Sequence, residues 1–338
     1  MTVLVEEAGL LTTIQDAGRY GYRGVGVAVS GAVDRFALRA ANLLVGNAPG
    51  AAALELTLAG PALRFERDTL VALCGADMDA QAGGEALPGW RPALVRGGTL
   101  LRLGAARAGM RAYLAAAGGF AVPEALGSRS THVRAGLGGV AGRPLKAGDR
   151  LQLGPAAPHA AAFAARLAAA APQSALAPAR WALAPSARPP YAAHPVVRAV
   201  RGREAEAFEA RSLERFFAAP YRVTPQSDRM GCRLDGERLA LTEPLEMISE
   251  AVAPGTVQVP PDGRPIVLLA DAQTTGGYPR IAQVAAADLP LFVQARPGAE
   301  VTFREISLAE AQALALVQEL ELRRLGAAAA ARLSVPSK

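Results

Sequence analysis

The segment 271–278 gathers a carboxylate, a carboxamide, hydroxyls and two glycines in one short stretch. It reads Asp271, Ala272, Gln273, Thr274, Thr275, Gly276, Gly277, Tyr278 and follows the apolar run 265–270. Such a run suits a buried strand, and side chains at the end of a rigid strand are held firmly. A carboxylate accepts N–H groups, while a carboxamide or hydroxyl can donate to a carbonyl. The same residues also suit a Thr-Gly-Gly hairpin turn in which Asp271 bonds backbone.

Other polar, glycine-laced stretches offer further groups. Segment 11–34 holds Gln15, Asp16, Arg19 and Ser30 among glycines, and 227–231 holds Asp228 and Arg229. Glycines let backbone N–H groups approach a ligand, and Asp228 beside Arg229 suits a functional pair. Capping side chains in a loop, or a structural Asp-Arg pair, would use the same residues. Hydroxyls and Arg129 in 127–131, followed by the glycine-rich stretch 136–142, suit either an anion or a plain surface loop. Residues 13–23 resemble 224–233 with one gap, a faint internal echo that a duplicated barrel would produce.

Several chemistries are excluded. No GxxxxGK[ST] loop, strand-to-helix GxGxxG or Gly-x-Ser-x-Gly elbow is present. Cys74 and Cys232 are far apart and His132, His159 and His194 are isolated, so no metal site is expected. Lys146 and Lys338 are the only lysines and neither lies in a Met-Lys-Met context, so this chain is expected to carry no covalent biotin. The net charge of +6 comes almost wholly from scattered arginines, which argues against a nucleic-acid stripe. Acidic residues in the first ten positions do not fit a signal peptide. The apolar run 160–171 is too short to span a bilayer. A cytoplasmic protein with no membrane partner is expected.

The elements that position these groups are mostly strands. Thirty-five Gly and 25 Pro punctuate short apolar runs such as 69–74, 99–103, 110–115, 150–153, 196–200 and 256–259. That spacing predicts sandwich or barrel architecture. Asp34 is placed to cap a helix through Phe36, Ala40, Leu43 and Leu44. Ser307 with Glu310 forms a capping box for a C-terminal helix that stops near Gly326. The divisions expected are 1–155 as a first β domain, 156–190 as an Ala/Pro-rich linker, 191–306 as a second β domain and 307–326 as the C-terminal helix.

Taken together, the motifs at 12–34, NLLVGN at 42–47, ALELTLAGP at 53–61, GSRST at 127–131, SDRMGCRL at 227–234 and the run 257–279 resemble the family of 5-oxoprolinase C-type subunits. That family is also described as allophanate hydrolase subunit 2 and is related to the urea carboxylase carboxyltransferase domain. The resemblance runs from about residue 9 to 303. It departs at Cys232, where an aromatic is common, and at Ala251, where Gly is common. It implies a mainly β fold of two cyclophilin-like β-barrel domains with a few short helices and a C-terminal helix. It implies ATP-dependent opening of 5-oxoproline to glutamate. ATP would be used by a complex of this chain with an A-type 5-oxoprolinase subunit and a kinase-inhibitor-like B-type one. The alternatives are a biotin-dependent carboxyltransferase component acting on urea and a non-catalytic regulator of a kinase inhibitor. Asp271, Gln273 and Arg229 are the expected catalytic residues. Gln15, Asp16, Arg19, Ser30, Asp228, Thr274, Thr275, Gly276, Gly277 and Tyr278 are expected to bind a small cyclic amide.

Overall fold

The protein is described by a computed structural model covering residues 2–334. Among these, residues 2–18, 34–189 and 320–334 form one compact unit, and residues 19–33 and 190–319 form a second. The fold is mainly β, as the turn spacing predicts. The segment 19–33 groups with the second unit although it sits near the start of the chain.

The first unit is built on a ten-stranded sheet. Its spine is the antiparallel pair Thr69–Ala82 and Leu100–Ala116. The sequence reading broke the second of these into 99–103 and 110–115, whereas one strand runs through. The register slips at three points along the pair, so bulges absorb the breaks that Gly104 and Gly109 suggest. Strand Ala53–Thr57 joins Leu11–Gln15 to the spine. The core face carries Ile14, Leu54, Leu56, Leu73 and Leu114, all buried. Alternation turns Thr13, Glu55 and Tyr113 to the other face. Helix α1 (Arg35–Leu44) lies against the spine, and Asp34 caps it by accepting from Ala37 N at 2.9 Å. The Ala/Pro-rich stretch 156–190, whose composition also favours helix, forms helix α2 (Pro158–Ala170) and then the edge strand Leu176–Pro178, which pairs with Pro92–Val95.

The second unit is a closed barrel of seven strands. Parallel pairing of Val196–Arg201 with Glu300–Glu305 closes it. Helices α3 (Ala210–Ala218) and α4 (Leu289–Phe292) accompany the barrel, and Phe216 of α3 stacks on Phe303 at 4.6 Å. Burying each such ring contributes about 1.5–3 kcal/mol. At one end Glu250–Ala251 pairs with Thr275–Gly276 as a separate two-stranded ladder. Helix α5 (Leu308–Ser334) ends the described chain. Its capping box is present, with Ser307 Oγ donating to Glu310 at 2.8 Å and accepting from Glu310 N at 3.2 Å. The helix runs past Gly326, where the sequence predicted a stop. There Gly326 lies against Leu43, and Ala329 and Leu333 beyond it are buried. Packing thus overrides the local stop signal.

Candidate functional site

Within the second unit, three of the expected site residues meet. Strand Ile266–Leu268 leads to Asp271, whose backbone N donates to Arg229 O at 2.9 Å. Arg229 closes a fork on the Asp271 carboxylate, with Nε donating to Oδ2 at 2.9 Å and Nη2 to Oδ1 at 3.1 Å. Ser30 Oγ donates to the same Oδ1 at 2.7 Å, and Ser30 N donates to Ala270 O at 2.9 Å. Arg229 Nη2 also reaches Gly31 O at 2.6 Å. Asp271, Arg229 and Ser30 are all buried. Ser30 takes the left-handed conformation at φ 56°, which a non-glycine residue adopts only under constraint. This network therefore fastens segment 19–33 to the end of the barrel. Arg19 is fully buried within that segment, and its N donates to Val29 O at 2.7 Å.

Beyond Asp271 the chain turns outward. Gln273, Thr275, Gly277 and Tyr278 are exposed, and Thr274 and Gly276 are half-buried. Gln258 underlies this loop. Its Nε2 donates to Tyr278 O at 3.3 Å and would lie 2.5 Å from a Cβ at Gly276, so any side chain there would have to displace the Gln258 carboxamide. Arg23 donates to the carbonyls of Val252 and Thr274, linking segment 19–33 to the residues that adjoin the two strands of the small ladder. Behind the ladder, Arg280 binds Glu204 and, at 2.7 Å, Glu250. Burial pushes the Glu204 carboxyl up, but hydrogen bonds and charge from Arg280 pull it below the usual carboxylate range. Asp228 is spent on its own turn, accepting from Met230 N at 2.7 Å and Gly231 N at 3.1 Å.

The structure places Gln15 and Asp16 in the first unit. Asp16 accepts from Gly18 N at 2.8 Å, Ser128 Oγ at 2.7 Å, Arg129 N at 2.6 Å and Ser130 Oγ. Its role there is to fasten the 127–131 loop. Gln15 donates to Thr13 Oγ1 at 3.0 Å and to Thr131 O at 2.9 Å, while its buried Oε1 meets no donor among the described residues.

Beside them lies a buried polar row that the sequence reading missed. Cross-strand register aligns Thr13, Glu55, Tyr113 and Cys74. Tyr113 OH donates to Glu55 Oε2 at 2.6 Å and accepts from Asp34 N at 2.9 Å. Burial, then the nearby Glu55 and Asp34 charges, push the Tyr113 phenol well above its ordinary range. A single acid inside the apolar run 53–58 was the signal that could have found Glu55. Among the described residues, no group of three or more His, Cys, Asp or Glu is arranged to hold a metal ion.

Comparison with known proteins gives a consistent picture. The family described as carboxyltransferase domain, subdomain A and B, matches residues 25–305. The C-type subunit of Escherichia coli 5-oxoprolinase is 42% identical over 313 residues, covering 90% of this chain and 91% of the relative. The corresponding 5-oxoprolinase protein of Haemophilus influenzae is 39% identical and covers 93% and 94%. The crystal structure of Kluyveromyces lactis urea carboxylase superposes with a TM-score of 0.86 at 30% identity. That likeness covers 96% of this chain but only 29% of the urea carboxylase, a much longer polypeptide.

Proposed function

This chain belongs to the family of carboxyltransferase domains, subdomains A and B, and from that membership we propose that it acts as the C-type subunit of an ATP-dependent 5-oxoprolinase. The observation that carries this reading is the end-to-end match to two proteins named as 5-oxoprolinase C-type subunits, at 39% and 42% identity over nine-tenths of this chain or more. The substrate would be a lactam, whose N–H and C=O lie side by side. In our reading the exposed Gln273, Thr275 and Tyr278 and the half-buried Thr274 meet that edge, because a carboxamide and hydroxyls supply both donors and acceptors. Asp271, Arg229 and Ser30 would act as positioning residues, since the Asp271 carboxylate is already shared by two partners. Gly276 and Gly277 would give the loop its close backbone approach.

Resonance makes a lactam carbonyl a poor electrophile. ATP would be used by the assembled complex to activate its oxygen, after which water opens the ring to glutamate. This chain's part would be to bind and orient the amide, with the A-type and B-type subunits completing the machinery. The test is co-purification with candidate A-type and B-type subunits, followed by measurement of ADP release that depends on 5-oxoproline. No 5-oxoproline-dependent release from a correctly assembled complex would overturn the reading. The urea carboxylase likeness supports a second reading, carboxyl transfer from a biotinylated partner to urea. Urea-dependent turnover with such a partner would favour it.

A further inference from the structure

Two arginines of the first unit, Arg91 and Arg188, lie close enough to repel each other, with no counter-ion among the described residues. Arg91 directly follows Trp90, and the Arg188 guanidinium lies over the Trp90 ring, 5.6 Å from its centroid. Arg188 uses one edge of the group on Leu183 O, with Nε at 3.0 Å and Nη2 at 2.6 Å. Arg91 Nη1 donates to Ala179 O at 3.2 Å, while its Nε is buried with no acceptor among the described residues. Neither guanidinium has a carboxylate within ion-pair distance among the described residues. Elsewhere the chain pairs its arginines freely, as at Arg96–Asp68 and Arg143–Asp149.

The platform under this pair is itself constrained. Trp90 sits at φ 61°, a conformation rare for a bulky residue. Two backbone bonds hold it there, Trp90 N to Leu73 O at 2.7 Å and Leu183 N to Trp90 O at 2.8 Å. Its ring also packs on Phe36 of α1, with centroids 6.4 Å apart. A stacked guanidinium keeps its in-plane donors available, and a half-buried cation without a partner is costly unless an anion completes it.

We propose that Arg91 and Arg188, aligned by the Trp90 ring, form a binding site for a small oxyanion. The ligand's oxygens would take the Arg188 donors not used on Leu183 together with the Arg91 terminal donors not used on Ala179, giving charge-assisted bonds from two directions. Carboxylate and phosphate share this chemistry. In support, burial holds the Arg188 group below its ordinary range, and the Arg91 charge adds to that against an opposing pull from Cys74. A bound anion would relieve both effects.

The experiment uses the full chain, titrated with sodium acetate and separately with sodium phosphate, against sodium chloride at matched ionic strength. Calorimetry and thermal melting are the readouts. A raised Tm and one saturable site are expected with at least one of the two oxyanions. Response to acetate alone identifies a carboxylate ligand, and response to phosphate alone a phosphate. Arg188→Gln should weaken binding about tenfold or more. Arg91→Glu supplies a built-in carboxylate, so its Tm in chloride should rise and its oxyanion response should vanish. If acetate and phosphate do no more than chloride, or if Arg91→Glu keeps the full oxyanion response, the site does not exist.

Discussion

Asp271 gives one carboxylate oxygen to Arg229 Nε and the other to Ser30 and Arg229 Nη2, all within a buried setting. Replacing it with Asn takes the carboxylate out of the Arg229 fork, and removing one partner of a buried pair costs about 3–5 kcal/mol. Asp271→Asn should therefore lower the unfolding free energy, read from urea denaturation, by about 3–5 kcal/mol or a little less and loosen segment 19–33. A variant that melts like the parent yet loses activity in the assembled complex would instead put Asp271 on the substrate. Glu204 gives a prediction with a pH axis. Its carboxyl is held below the usual range by Arg280 despite burial. The unfolded chain therefore takes up this proton at a higher pH than the folded chain does. The stabilisation is complete above the ordinary glutamate range and is lost as pH falls through the lower folded value. Glu204→Gln should flatten the acid limb of a Tm-against-pH curve, and an unchanged limb would show that Arg280 contributes nothing there. The sequence showed which segments were polar but not which atoms meet. Ser30 and Asp271 are 241 positions apart, and no local pattern reports that bond. Glu55 was hidden for the opposite reason: its strand is buried on both faces, so no alternation marks it.

At the scale of elements, signals confined to one turn were legible and signals that depend on packing were not. The Asp34 cap and the Ser307–Glu310 box form as expected, because each needs only four consecutive residues. The stop at Gly326 fails, because glycine ends a helix only where nothing beyond it is worth burying. Here the chain continues to Ser334 and buries Ala329 and Leu333. Gly326 thus sits inside a helix, where it costs roughly 1 kcal/mol relative to Ala. A Cβ added there would lie 3.2 Å from Leu43 Cδ2, the free end of a half-buried side chain that can move a few tenths of an ångström. Gly326→Ala should raise stability by about 0.5–1 kcal/mol, read as a higher urea midpoint. The contrasting position is Gly139, where a Cβ would fall 1.9 Å from Thr131 Oγ1 and φ is 53°. Gly139→Ala should destabilise, by melting, because both the backbone and the fastened 127–131 loop oppose it. A Gly139→Ala chain as stable as the parent would mean that loop is not held as the Asp16 bonds imply.

At the scale of the whole molecule, the comparisons set a limit on what one chain does alone. The sequence match covers 94% of a relative that is itself named as one subunit of 5-oxoprolinase, yet the structural match covers only 29% of a urea carboxylase. A module found both as a separate polypeptide and as part of a longer one has neighbours supplied in trans or in cis. An unactivated lactam needs its carbonyl oxygen converted to a better leaving group before water can open the ring. The groups proposed to face the amide, Gln273, the threonines and Tyr278, orient a substrate but store no chemical energy. The purified chain should therefore show no 5-oxoproline-dependent ATP hydrolysis by itself. Adding candidate A-type and B-type subunits should produce turnover that rises with each and saturates at a fixed ratio. The measurement is ADP release with and without 5-oxoproline across a titration of this chain into the other two. Full turnover by this chain alone, or turnover of the partners that ignores its addition, would contradict the proposed division of labour.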